Sequence, residues 1–139
     1  MNLQQSADIH AEAKRIWATL VDVERWSEWT RTIDKVERLD HGEFGIGSRA
    51  RVHQPRIPVA VWTVTEFEPG RSFTWVSEAF GIRSVATHRL EPRGDGTVSL
   101  TLGFAQTGWL ARLVRSRAEK IAREYLAIEA QGLKRRCEG

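Results

Sequence analysis

The sequence predicts an α+β domain: a curved antiparallel sheet of about seven strands around one long C-terminal helix, with two short helices after the first strand. Three observations carry this. Helical spacing appears early, between about Ala11 and Trp29. From Ile33 to Phe104, runs of β-branched and aromatic residues are broken by turn signals of hairpin length, which suits antiparallel neighbours. From about Trp109 to Lys134 an apolar stripe runs without proline and with no glycine before Gly132.

Each element follows from its residues. "MNLQQSADI" suits a short first strand. In "HAEAKRIWATLVDVERW", Ile16, Trp17, Leu20 and Val21 recur at helical spacing, which predicts a helix from about Ala11 to Val21. Asp22 suits an N-cap for a second short helical turn. That turn carries Trp26 and Trp29, whose rings share one side and are expected to plug the helices onto the sheet. "TIDKVERLD" ends at the glycines of "HGEFGIG". "SRARVHQ" is a polar strand, and the prolines of "PRIP" interrupt it. "VAVWTVTEF", "RSFTWVSEAF" and "IRSVATHRLEP" follow, and Asp95-Gly96 marks a hairpin turn. In "VSLTLGF", Val98, Leu100, Leu102 and Phe104 share one face. The last helix is a rod of roughly 37 Å, long enough to cross a small sheet.

Composition bounds the function. The length of 139 residues suits a single domain, residues 1–139, and 41% apolar residues suffice for a core. The net charge of +3 is far from the dense basic field of a nucleic-acid binder, so no nucleic-acid partner is expected. The lone cysteine, Cys137, forms no internal disulfide and is expected to be a surface thiol. No segment has the pattern of a secretory signal or a membrane span, which predicts a cytoplasmic protein.

Four stretches in this order resemble the SRPBCC (START-like) superfamily, and most closely its polyketide cyclase/dehydrase and lipid-transport branch. They are "IHAEAKRIWATLVDVERWSEW", "VWTVTEFEPGRSFTW", "HRLEPRGDGTVSLTL" and "EAQGLKRRCE". Together they cover nearly the whole chain. The resemblance implies a helix-grip fold with a cavity between sheet and helix that holds apolar or amphipathic small molecules. Some members of the branch catalyse cyclisation or dehydration there. Catalytic residues differ between branches, so no signature carries over by position.

The candidate site residues come from this chain alone. His88 shares strand parity with Ala86 and Leu90, so it faces inward if Leu90 does. It is the weak catalytic candidate, since an imidazole titrates near neutrality, against the alternatives of a histidine satisfied by a neighbouring hydroxyl or one on the outer face. Trp62, Trp75 and Phe104 are the aromatic candidates: on a concave sheet such rings line a pocket, and the alternatives for the two tryptophans are to fill a closed core or to cover the sheet's outer face. Arg117 falls within the helical stripe, where it anchors an acidic ligand or snorkels to solvent. Tyr125, one turn beyond Ile121, offers a hydroxyl to a cavity or packs with its phenol tip wet. His10, His41 and His53 lie in a helix start, a turn and a polar strand that suits an edge, with no metal-ligand spacing. No metal or cofactor is expected.

Three motifs carry no function here. "RGD" is a hairpin turn, "LKRR" suits a helix C-terminus, and "GEFGIG" lacks the helix that a phosphate loop needs. The leading expectation is a binding domain for a small apolar ligand. The alternatives are a cyclase/dehydratase acting on an aromatic or polyketide-like substrate, and a protein-interaction module on the same fold. A homodimer is left open.

Overall fold

The computed structural model describes every residue from Met1 to Gly139. Strand β1 (Asn2–Ile9) leads into helix α1 (Ala13–Val21) and a 3-10 helix (Val23–Glu28). Six strands follow: β2 (Lys35–Arg38), β3 (Arg49–His53), β4 (Ala60–Glu68), β5 (Ser72–Ala79), β6 (Ile82–Pro92) and β7 (Val98–Thr107). Helix α2 (Ala111–Glu138) comes last. The strands form one antiparallel sheet in the order β1-β7-β6-β5-β4-β3-β2. The fold is the helix grip, with α2 laid across the concave face.

Period-two alternation sets which residues meet α2. On β7, Val98, Leu100 and Leu102 are buried and Phe104 is half-buried. On β6 their register partners include Leu90, opposite Leu100, and His88, opposite Leu102. On β5 the inward residues are Phe73 and Trp75, and on β4 they are Trp62 and Val64. Phe73 is fully buried; such a side chain contributes about 3 kcal/mol by leaving water.

Trp26 ties the 3-10 helix to this face. Its Nε1 donates to the Leu20 carbonyl at 2.9 Å, closing the turn between the two helices. Its ring lies 5.3 Å from Trp75, 6.4 Å from Phe73 and 5.8 Å from Trp29. Trp17, half-buried on α1, meets Phe67 at 5.5 Å.

The sequence expectations need five corrections. Helix α1 begins at Ala13, two residues later than its pattern suggests. Asp22 makes no side-chain cap; its carboxylate turns to Arg25 at 3.5 Å instead. Helix α2 spans Ala111 to Glu138, starting two residues after the expected Trp109 and ending four after the expected Lys134. Glycine is used there for close approach, because a Cβ at position 132 would overlap the Trp29 carbonyl. Strand β3 is flanked by β2 and β4, so His53 is not on an edge; it pairs with Glu37 at 3.0 Å across the β2–β3 ladder.

The fifth is Cys137, which is buried, not a surface thiol. The last turns of α2 pack onto the chain's beginning. Glu138 accepts from the His10 backbone N–H at 2.8 Å, and Lys134 Nζ donates to the Asp8 carbonyl. Arg136 reaches Glu28 at 2.6 Å. Burial pushes the Cys137 thiol pKa up, which keeps it protonated and inert.

Candidate ligand-binding cavity

Between the concave face and α2 lies a cavity of about 140 Å³. Fourteen of its twenty lining residues are hydrophobic. The sheet supplies Trp62, Trp75, Ala86, His88, Leu102 and Phe104, and Trp26 closes one side. Helix α2 lies over it with Ala118, Ile121, Ala122, Tyr125, Leu126 and Glu129. The void follows from side-chain size: three of the lining positions on facing elements are alanines, Ala86, Ala118 and Ala122, where a close-packed core would place larger groups. From Ala118 to Glu129 the helix advances about 16 Å, so the lined space is elongated.

The β3–β4 connection forms a strap beside α2 and contributes Gln54 and Ile57 to the lining. Tyr125 donates its hydroxyl hydrogen to the Pro55 carbonyl. Arg56 pairs with Glu124 at 3.0 Å, and its guanidinium sits 5.3 Å from the Tyr125 ring centre. Arg56 holds a left-handed backbone, φ 70, which is uncommon without glycine. The strap thus hangs on α2 by side-chain contacts.

Of the residues singled out from the sequence, Trp62, Trp75, His88, Phe104 and Tyr125 all line this cavity. Trp62 and Trp75 pack at 5.8 Å with their rings tilted. Arg117 is the exception. It is exposed on α2 and absent from the lining, because its position falls just past the edge of the stripe. Trp29 also stays outside; Trp26 is the member of the pair that reaches the cavity.

His88 is buried and stacked on Phe73, with ring centres 4.1 Å apart and planes at 14°. Its Nδ1–H donates to the Phe73 carbonyl at 3.1 Å, because a carbonyl only accepts. Burial lowers its pKa to about 4, against the opposing effect of that hydrogen bond. It is therefore neutral at pH 7, with Nε2 left as an acceptor. So low a pKa makes it a poor general acid and a weak base.

The residue that sequence reasoning missed is Glu129. Its carboxylate accepts from the Thr32 hydroxyl at 2.8 Å, and Thr30 and Thr32 hydroxyls meet at 3.0 Å. Burial raises the Glu129 pKa to about 7, partly offset by the Thr32 hydrogen bond. A signal was present: Glu129 lies one turn beyond Tyr125 and two beyond Ile121, an acid set into the apolar stripe. Gln106 also lines the space. Its Nε2 donates to Ser84 at 3.2 Å, while its Oε1 is buried without a partner. No lysine or arginine lines the cavity. No three His, Cys, Asp or Glu side chains gather into a metal-holding group, and no helix is long and apolar enough to cross a membrane.

The model of one protein family, described as polyketide cyclase / dehydrase and lipid transport, matches residues 1–138. No curated protein matches by sequence. Solved structures are similar over nearly the whole chain. A hypothetical protein of Helicobacter pylori superposes with a TM-score of 0.86 at 13% identity, covering 99% of this chain and 88% of that one. A START superfamily protein from Mycobacterium smegmatis gives 0.79 at 18% identity, with 99% and 97% covered. The Zhui aromatase/cyclase from Streptomyces sp. R1128 gives 0.77 at 16% identity, with 99% and 93% covered. At these identities the likeness is one of fold.

Proposed function

The chain belongs to the polyketide cyclase/dehydrase and lipid-transport family, and from that premise we propose that it binds a small apolar or amphipathic molecule in the cavity under α2. The observation that carries this is the alanine-lined void, walled by tryptophans and closed by a strap that hangs on side-chain contacts. A cavity of about 140 Å³ matches a ligand of roughly one aromatic ring with a short substituent. The ligand's polar end belongs at Glu129, whose carboxyl is the one acid in a mostly apolar and cation-free lining.

Native mass spectrometry of the purified protein tests this directly. A co-purifying apolar molecule of constant mass supports it. Absence of binding from a library of single-ring and two-ring aromatics, in both mass spectrometry and thermal-shift assays, overturns it.

A second reading is a cyclase/dehydratase on the same cavity, and it rests on Glu129. A carboxyl with a pKa of about 7 is matched to give or take a proton near neutrality. In that reading the proton-transfer group is Glu129 in place of His88. Assay against aromatic polyketide substrates decides it. Glu129→Gln should remove turnover and keep binding; turnover unchanged by that substitution excludes the assignment.

A further inference from the structure

Four of the seven large hydrophobic side chains left exposed by the fold gather at one end of the molecule: Phe80 (80% exposed), Trp109 (75%), Leu113 (78%) and Val114 (39%). Trp109 reaches the turn that carries Phe80. The Trp109 indole lies over Gly81, so closely that no Cβ would fit there, and Leu110 N–H donates to the Gly81 carbonyl at 3.3 Å. Leu113 follows in the first turn of α2, just after Trp109. The β5–β6 turn holds Phe80 outward with φ 55, a conformation bulky residues rarely adopt.

Charge surrounds this patch. Arg112, Arg115, Arg117 and Lys120 are exposed, and the one acid between positions 109 and 120 is Glu119, which gives 4 − 1 = +3. The whole chain carries 21 − 18 = +3. The entire excess therefore sits in this stretch and the remainder sums to zero. On the helical wheel Arg112 and Arg117 flank Leu113 and Lys120 on one face. Arg112 lies in the first turn of α2, at the positive end of the helix dipole, where an acid would stabilise it. The first turn of α2 has no acid and no side-chain cap. Large apolar side chains left exposed beside exposed cations point to a role outside the fold's own stability.

We propose that this end of the molecule docks reversibly on an anionic lipid bilayer. Trp109, Leu113 and Phe80 enter the interface, and Arg112 and Arg117 meet lipid phosphates. A second copy of the chain is a poorer occupant, because a two-fold contact would set this cationic stretch against itself. Nucleic acid would use the cations but not the exposed leucine and phenylalanine. The proposal is independent of what the cavity holds.

Vesicle co-sedimentation tests it, with phosphatidylcholine alone or with equal parts phosphatidylcholine and phosphatidylglycerol. The protein should pellet with the anionic vesicles only, and less as salt is added. Arg112→Ala with Arg117→Ala should lower the partition about 25-fold, since each cation near the surface is worth about fivefold. Leu113→Ser should lower it by about tenfold or more, with the circular dichroism spectrum unchanged. No pelleting with anionic vesicles overturns the proposal. So does equal pelleting with both vesicle types, or pelleting that survives these substitutions. Concentration-dependent self-association that Leu113→Ser abolishes, without vesicle binding, would instead make the patch an interface between copies.

Discussion

Glu129 and His88 line one cavity and titrate with opposite signs. Glu129 has a folded pKa of about 7 against an ordinary 4.5, so its stabilising effect is complete below pH 4.5 and is lost as pH rises through about 7. His88 has a folded pKa of about 4 against 6.5, so its effect is complete above pH 6.5 and is lost as pH falls toward about 4. Between pH 4.5 and 6.5 the two slopes oppose each other, each at up to about 1.4 kcal/mol per pH unit. Urea unfolding of the wild type should therefore show little pH dependence from this pair in that window. Glu129→Gln should unmask a stability that rises with pH there, and His88→Asn one that falls. Parallel profiles for wild type and both variants would show that neither side chain is held in the ionisation state that burial dictates. His88 was legible in the sequence only as sharing the face of Leu90, whichever way that face points. Its stacking on Phe73 was not, because no spacing rule says which ring a buried imidazole meets.

Helix α2 serves several neighbours along its length, and its sequence shows this unevenly. The stripe through Ile121 and Tyr125 made the helix and its inner face plain from spacing alone. The helix was expected to run through Gly132, but the glycine's role as a contact point against Trp29 was not legible, since chain crossings between distant segments leave no local mark. In a solvent-exposed helix, Gly→Ala stabilises by about 1 kcal/mol. Here Gly132→Ala should destabilise by about 1–3 kcal/mol in denaturant titration, because the added methyl displaces the Trp29 backbone; a gain in stability would contradict that packing. The strap is tied at the other end of the same face. Tyr125→Phe removes the hydroxyl bond to Pro55, worth about 1 kcal/mol. Amide exchange at Arg56 and Ile57 should then quicken while exchange in β6 and β7 stays unchanged. Uniform acceleration across the sheet would mean the tyrosine supports the whole core, not the strap.

At the scale of the molecule, the order of elements was readable because helix and strand periodicities differ and the turns are marked by Gly, Pro and Asp-Gly. The cavity was readable only in outline. Parity grouped His88 with Leu90 and Phe104 with Leu102 but left open which face of the sheet Trp62 and Trp75 take, and an absence of atoms has no residue to announce it. The void exists because Ala86, Ala118 and Ala122 come together from β6 and α2, and each alanine alone is unremarkable in its element. This arrangement predicts how binding and stability separate. Ala122→Leu adds apolar volume from a position already 8% exposed, into space that is lined and empty of protein atoms, and leucine is a good helix former. The variant should keep or raise its melting temperature without ligand, since the new side chain gains contacts where the wild type has none. It should also lose the ligand response. At a ligand concentration of about 100 Kd the wild type gains about 2.7 kcal/mol, or about 8 °C in Tm for a domain of this size, and the filled variant should gain none. A full ligand shift in Ala122→Leu would place the binding site outside this cavity, and a large drop in the unliganded Tm would mean that the space is smaller than the structure gives.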